Sequence, residues 1–172
     1  MQEAAVSSEG RETALQSLYR RRAQEMFGFA RRLGLADEDA SDAVQEALLR
    51  LWRAMTDDEI ADPDAWAFRA LYRLAIDHHR LRRRLHGLAD RLGFGAADAA
   101  PDPASGIETD AVWTAVDRLP ERQRAVLYLR YRADLPYERI GAALSITPSA
   151  ARGHASTGLA TLRRRFGVEV ER

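Results

Sequence analysis

Apolar side chains return every three or four residues along most of this chain, a period that commits it to amphipathic helices. From Leu15 to Leu35 the spacing is kept by Leu18, Ala23, Met26, Phe27, Ala30 and Leu33, and Gly34 reads as a stop signal. Asp37, Asp39 and Ser41 then offer N-cap oxygens to a second helix, in which Val44, Ala47, Leu48, Leu51, Trp52 and Met55 form one stripe. Asp62-Pro63 suits the cap and first position of a third helix, from about Asp64 to Leu85. That helix carries Ala67, Ala70, Leu71, Leu74, Ala75, His78 and Leu81 on or near one face. Three such helices joined by short loops make a small bundle.

The period lapses between Gly93 and Thr109, where Gly, Ala, Pro and acids mark a linker. It resumes at Val112, Trp113, Val116 and Leu119. Pro120 then restarts the chain, because proline fits the first turn of a helix but not its interior. The expected fold is all-α: two small helical domains, residues 12–91 and 111–168, joined by a flexible linker at 92–110. A length of 172 residues accommodates two such units.

Composition excludes several functions. The chain has no cysteine, hence no disulfide, no Cys-ligated zinc and no thiol nucleophile. No apolar run approaches the roughly 18 residues that span a bilayer, and the polar N-terminus is unlike a signal peptide. A cytoplasmic protein without membrane insertion is expected. The formal net charge of zero hides a segregated pattern. Ten acids face two arginines from Asp37 to Asp64, whereas seven arginines, three histidines and two acids occupy Arg69 to Arg91. Ten arginines against three acids follow from Arg118 to Arg165. With a Debye length of about 8 Å at physiological salt, each block presents its own field. All 26 basic residues are arginine and asparagine is absent, a bias expected of a GC-rich genome, so arginine usage alone says little about phosphate.

The most specific local pattern runs from Tyr137 to Leu162 and has the spacing of a helix-turn-helix. Ile140 and Leu144 face the core, Gly141 lets the second helix cross closely, and Ile146 plugs the turn. Ala151, Ala155, Leu159 and Leu162 pack the last helix down, which turns Ser149, Ala150, Arg152, Gly153, His154 and Ser156 outward. The N-terminal part of such a helix enters the major groove, where arginine can bond guanine bidentately and backbone N–H groups hold phosphate. Arg152 is the candidate base reader and Ser149 the phosphate contact, with Thr147 as N-cap. Without its surroundings, this pattern would serve equally as a plain helical hairpin.

The surroundings narrow the choice. The segment LPERQRAVLYLRYRADLPYERIGAALSITPSAARGHASTGLATLR resembles region 4 of the sigma-70 family, especially its extracytoplasmic-function (ECF) class. On the other side of the linker, ASDAVQEALLRLWR is similar to the polymerase-binding helix of region 2, and DPDAWAFRALYRLAIDHHRLRRR to its minus-ten helix. The resemblance covers residues 15 to 165 and implies a sigma factor, with no catalysis and no cofactor of its own. It places Asp42, Gln45, Glu46, Leu49, Arg50 and Arg53 against the beta-prime clamp helices of core RNA polymerase. Asp62, Trp66, Arg69, Arg73, Asp77, Arg80 and Arg83 fall on the minus-ten element, with a base-capture loop from Asp57 to Asp64. Thr147, Ser149, Ala150, Arg152, Gly153 and His154 fall on the minus-thirty-five duplex. The polymerase beta flap, promoter DNA and an anti-sigma factor are the further implied partners. Arg73 stands where the family often has asparagine, and His154 and Thr157 where arginine is frequent.

Other readings attach to single features. Unstacking a base costs a few kcal/mol, which Trp66 can return by stacking, although a tryptophan at a helix start is more often core. The polar face of the second helix, with Glu46 and Arg50 at i,i+4, would by spacing alone be a solvated face. Asp77, His78 and His79 invite a metal or hydrolytic reading, but adjacent helical residues point about 100° apart and do not chelate one ion. A regulator using only the helix-turn-helix is the second functional class, and it has no need of the Asp42–Arg53 face.

Overall fold

The computed structural model describes residues 8–57, 60–92 and 111–166. Seven helices and no strand occur among them: α1 (Ser8–Arg32), α2 (Asp37–Asp57), α3 (Pro63–Arg91), α4 (Ala111–Val116), α5 (Glu121–Tyr131), α6 (Tyr137–Leu144) and α7 (Pro148–Phe166). The expected linker lies outside the described residues apart from Leu92, and the capture loop is described except at positions 58 and 59.

Local chemistry sets the helix ends. Gly34 adopts φ 94°, and the Leu35 N–H reaches the Ala30 carbonyl at 3.2 Å, so α1 closes in a left-handed C-terminal motif that glycine favours. Asp62 Oδ1 accepts the Ala65 N–H at 3.0 Å and caps α3, as its place before Pro63 suggests. Two helices exceed their expected bounds. α1 begins at Ser8 rather than near Leu15, and α3 continues to Arg91 rather than Leu85. The extension of α3 beyond Leu85 carries Leu88 exposed, so no buried stripe announced it.

In the first unit α1, α2 and α3 pack on one another; in the second, α5, α6 and α7 do so, with α4 against α7. The units are not separate. α3 packs along α6 and α1 along α5, and one apolar core runs from Leu18 to Leu162 through both. Phe29 is its centre: fully buried, with ring centroids 5.7 Å from Phe68, 6.5 Å from Tyr72 and 5.7 Å from Tyr128. Gly28 lies beside it, where a Cβ would run into the Tyr128 hydroxyl.

Polar bonds cross the same seam. Tyr128 donates to the Glu25 carbonyl at 3.1 Å, Tyr72 to Glu121 at 2.9 Å, and Arg22 to the Ala133 carbonyl at 2.9 Å. Buried Arg32 pairs with Asp117, donates to the Trp113 carbonyl at 3.1 Å and stacks over the Trp113 ring at 5.3 Å. Burial, then the hydrogen bond and charge of Glu121, push the Tyr72 phenol up to about 12, against an opposing pull from Arg122. Burial likewise pushes Tyr128 up to about 12, against the charge of Arg132.

An alkaline effect follows. Between about pH 10 and 12 the unfolded chain sheds phenolic protons that the folded chain keeps, so stability falls as pH rises through that window and is unaffected below about pH 9. The chain has no lysine to titrate there. Urea midpoints should be level from pH 7 to 9 and drop at pH 10.5 to 11.5. The double variant Tyr72→Phe, Tyr128→Phe should flatten the drop; an unchanged slope would contradict the assignment.

Candidate nucleic-acid and polymerase interfaces

Three surfaces carry the residues singled out above. On α7, Ala151, Ala155, Gly158 and Leu162 are buried while Ser149, Ala150, Arg152 and Gly153 are exposed and His154 is half-buried. The turn before it is tight. Ser145 ends α6 at φ 54°, and a Cβ on Gly141 would lie 2.7 Å from the Ile146 carbonyl oxygen and 3.2 Å from Pro148 N. Glycine is therefore needed at 141 for the close helix crossing. Thr147 Oγ1 accepts the Ala150 N–H at 3.1 Å, the N-cap bond expected of it. Arg152 extends 3.6 Å from Glu138 and over the Tyr137 ring at 5.7 Å, so α6 orients the arginine at the helix start. An exposed arginine and an exposed serine at one helix N-terminus form a surface able to hold phosphate and read a base edge.

The second surface is one face of α3 and its N-terminal approach. Trp66, Arg69, Arg73, Asp77, Arg80 and Arg83 follow at intervals of three or four residues and so share a side of the helix. Trp66 is half-buried beneath Arg69, whose guanidinium lies 5.9 Å from the ring centroid. With Ile60, Asp62 and Ala65 they line a hollow of about 220 Å³. Farther along, Arg73, Asp77, Arg80 and Arg83 line a cleft of about 580 Å³, whose other wall is Glu121, Arg122, Leu144 and Ser145 of the second unit. Asp77 pairs with Arg80 at 3.4 Å within this row. The arginines give the face a cationic character suited to a phosphate backbone.

The third surface is the outer side of α2. Asp42, Gln45, Leu49, Arg50 and Arg53 are exposed, Glu46 is half-buried, and Glu46 accepts from Arg50 at 2.7 Å. Leu49 is 50% exposed at the centre of this polar strip. A leucine left in solvent among charges has the composition of a protein-docking face with an apolar centre and a polar rim.

The paired histidines take structural contacts instead. His79 Nε2 lies 2.7 Å from the Leu33 carbonyl oxygen and His78 Nε2 lies 3.7 Å from Asp39, while their rings meet edge-on at 6.0 Å. Three polar side chains escaped sequence reasoning: buried Asp64, held by Arg21 and Arg22; Glu121, bonded by Tyr72; and Arg139, 2.8 Å from Asp62. Each contact joins positions more than 40 apart, and no local pattern announces it.

Residues 18–99 match sigma-70 region 2, and residues 109–162 match sigma-70 region 4. The chain is 35% identical over 127 residues to the ECF RNA polymerase sigma factor SigF of Caulobacter vibrioides, covering 72% of this chain and 69% of that one. It is 27% identical over 184 residues to the RNA polymerase sigma factor CnrH of Cupriavidus metallidurans, covering 98% and 95%. Among solved structures, the fold resembles the sigma factor RpoE of Bartonella quintana in complex with the anti-sigma factor NepR, with a TM-score of 0.70 at 20% identity over 90% of this chain and 97% of that one. It also resembles CnrH in complex with the cytosolic domain of CnrY, with a TM-score of 0.63 at 23% identity over 94% and 93%.

Proposed function

The chain belongs to the ECF class of the sigma-70 family and is a promoter-specific RNA polymerase sigma factor, and on that premise we propose how its three surfaces divide the work. The outer side of α2, with Leu49 at its centre and Asp42, Gln45, Glu46, Arg50 and Arg53 around it, docks on the beta-prime clamp helices. The α3 face from Asp62 to Arg83 takes the minus-ten element: Trp66 and Arg69 at the hollow receive an unstacked base, and Arg73, Arg80 and Arg83 follow the phosphates. The start of α7 reads the minus-thirty-five duplex through Arg152, with Ser149 and the helix N-terminus on phosphate. Residues 12–91 and 111–168 act as the two functional domains. The second also engages the beta flap. Catalysis stays with the polymerase, and the protein works in the cytoplasm; no helix among the described residues is long and apolar enough to cross a membrane. The sigma factor RpoE was captured with the anti-sigma factor NepR, and an anti-sigma partner is proposed here too.

The observation that carries this reading is the presence, on one chain, of both a buried-and-exposed pattern fit for duplex reading on α7 and a separate exposed leucine among charges on α2. A regulator that only binds DNA needs the first and not the second. Transcription by purified core polymerase on genomic promoter fragments, with and without the protein, tests it; initiation at a defined subset only in its presence is the expected result, and no stimulation together with no binding to core would refute it. Arg152→Ala is expected to cost about 1 to 3 kcal/mol at a specific minus-thirty-five site. Unaltered affinity and preference in a duplex titration at fixed salt would remove Arg152 from base reading.

A further inference from the structure

The cleft of about 580 Å³ between the two units is lined by four arginines and two carboxylates: Arg73, Arg80, Arg83 and Asp77 on α3, and Glu121 and Arg122 on α5. Both carboxylates are already engaged. Asp77 pairs with Arg80 at 3.4 Å, and Glu121 accepts from Tyr72 at 2.9 Å. Arg73, Arg83 and Arg122 have no hydrogen-bond or ion-pair partner among the described residues, and all three are exposed. Four cations against two anions leave the cleft an excess of two positive charges, drawn from both walls. Glu121 and Arg122 form the first turn of α5, whose N-cap is Pro120 with no side-chain cap hydrogen bond, so the positive end of that helix dipole lies at the same wall. The exposed Ser145 adds a hydroxyl, and Ile76 and Leu144 add an apolar patch.

We infer that this cleft is a binding site for an oligophosphate, a chain of three or more linked phosphates held between the arginines of α3 and Arg122 of α5. Charge alone would admit any anion; the arrangement narrows the class. Arg73 and Arg83 lie about 15 Å apart along α3 at a rise of about 1.5 Å per residue, farther than a single phosphate bridges. Asp77 and Glu121 repel an anion at close range, so a lone phosphate gains little, whereas a chain places its charges at the guanidiniums and away from the carboxylates. Arg122 stands on the opposite wall, where a strand lying along α3 has no need of it. A compact polyanion between the walls uses both, and the planar guanidinium fork matches phosphate oxygens bidentately. Inorganic polyphosphate and a nucleoside triphosphate share this chemistry, and only the second has a base to lay against Ile76 and Leu144. The site stands on the packing of these side chains and not on the minus-ten assignment. With both in force, oligophosphate and promoter strand compete for Arg73, Arg80 and Arg83.

Isothermal titration of the full chain with sodium tripolyphosphate, in magnesium-free buffer at physiological ionic strength, tests the site. One saturable event per chain is the expected result, with orthophosphate giving none at the same concentrations. Arg122→Ala removes the one cleft arginine outside the row assigned to the promoter strand, and its exposure leaves the core untouched. It should bind tripolyphosphate about tenfold more weakly, the loss of one charge-assisted hydrogen bond. Arg165→Ala removes the same charge from the exposed end of α7, outside the cleft, and should bind as the wild type does. Tripolyphosphate should also raise the thermal midpoint of the wild type, and raise that of Arg122→Ala less at the same concentration. Adenosine and guanosine triphosphate separate the two sources: tighter binding than tripolyphosphate identifies a nucleotide, and equal or weaker binding identifies the phosphate chain alone. No saturable binding of any of the three, orthophosphate binding as tightly as tripolyphosphate, or equal losses in Arg122→Ala and Arg165→Ala would overturn the inference, the last by showing diffuse attraction to arginine. All of these measurements are made on the free chain, so failure of the sigma-factor reading would show separately, as no binding to core polymerase.

Discussion

Phe29→Ala is expected to destabilise the protein by about 3 to 5 kcal/mol, the cost of emptying a fully buried aromatic site, and to lower the thermal midpoint by roughly 10 °C for a chain of this length. The reason is position as well as size. Its ring packs against Phe68 and Tyr72 on one side and Tyr128 on the other, so the cavity opens where the two helical units meet and neither unit alone can collapse into it. Edge-to-face and offset aromatic contacts are lost as well, each worth about 0.5 to 1.5 kcal/mol beyond area. Circular dichroism at 222 nm should record one cooperative transition at lower temperature. Phe27→Ala, at a half-buried neighbour on the same helix, should cost visibly less. Equal costs at the two positions, or a Phe29→Ala melt in which one unit keeps the wild-type midpoint, would mean that the shared core does not couple the units.

Asp64→Ala should cost about 2 to 3 kcal/mol, below the range of about 3 to 5 for breaking a fully buried pair because one partner is largely in solvent. Asp64 is buried, and its carboxylate accepts from Arg22 at 2.9 Å and from Arg21 at 3.3 Å, Arg21 being 57% exposed. Arg22 also donates to the Ala133 carbonyl, so this guanidinium ties α1 to α3 and to the loop after α5. Removing Asp64 leaves Arg22 without its carboxylate, and it takes a negative charge from the first turn of α3, where the helix dipole favours one. Asp64→Asn keeps shape and one acceptor and should recover part of the loss. Urea unfolding of the two variants measures the difference; an alanine variant as stable as wild type would show that Arg22 finds full compensation in water.

The helical face of the site was legible residue by residue where burial follows local period. On α7, Ala151, Ala155 and Leu162 turn inward and Arg152 outward, as the spacing predicts. On α2 the apolar stripe and the opposing polar strip fall as expected, with Leu49 the apolar member left outside. The period misjudged α1 and α3. Phe29, Phe68 and Tyr72 are absent from the apolar faces that the spacing picks out, yet all three are buried. Leu81, counted with the core face of α3, is 57% exposed, because the end of α3 runs on past the helices that cover its start. A helix that packs on two sides has two stripes, and reading one stripe per helix finds only the first.

The sequence by itself determined seven segments with helical character, the turn between α6 and α7, the caps at Asp62 and Thr147, and the outward direction of the α2 and α7 side chains. These follow from interactions within about four residues, where backbone geometry permits few alternatives. Only the tertiary structure decided that the second unit folds back on the first, that Arg139 meets Asp62 and Glu121 meets Tyr72, and that the arginine row of α3 is walled by α6. Those contacts join residues 49 to 77 positions apart. They are selected by the fit of two assembled surfaces, a property that no segment of the chain possesses before the helices have formed and packed.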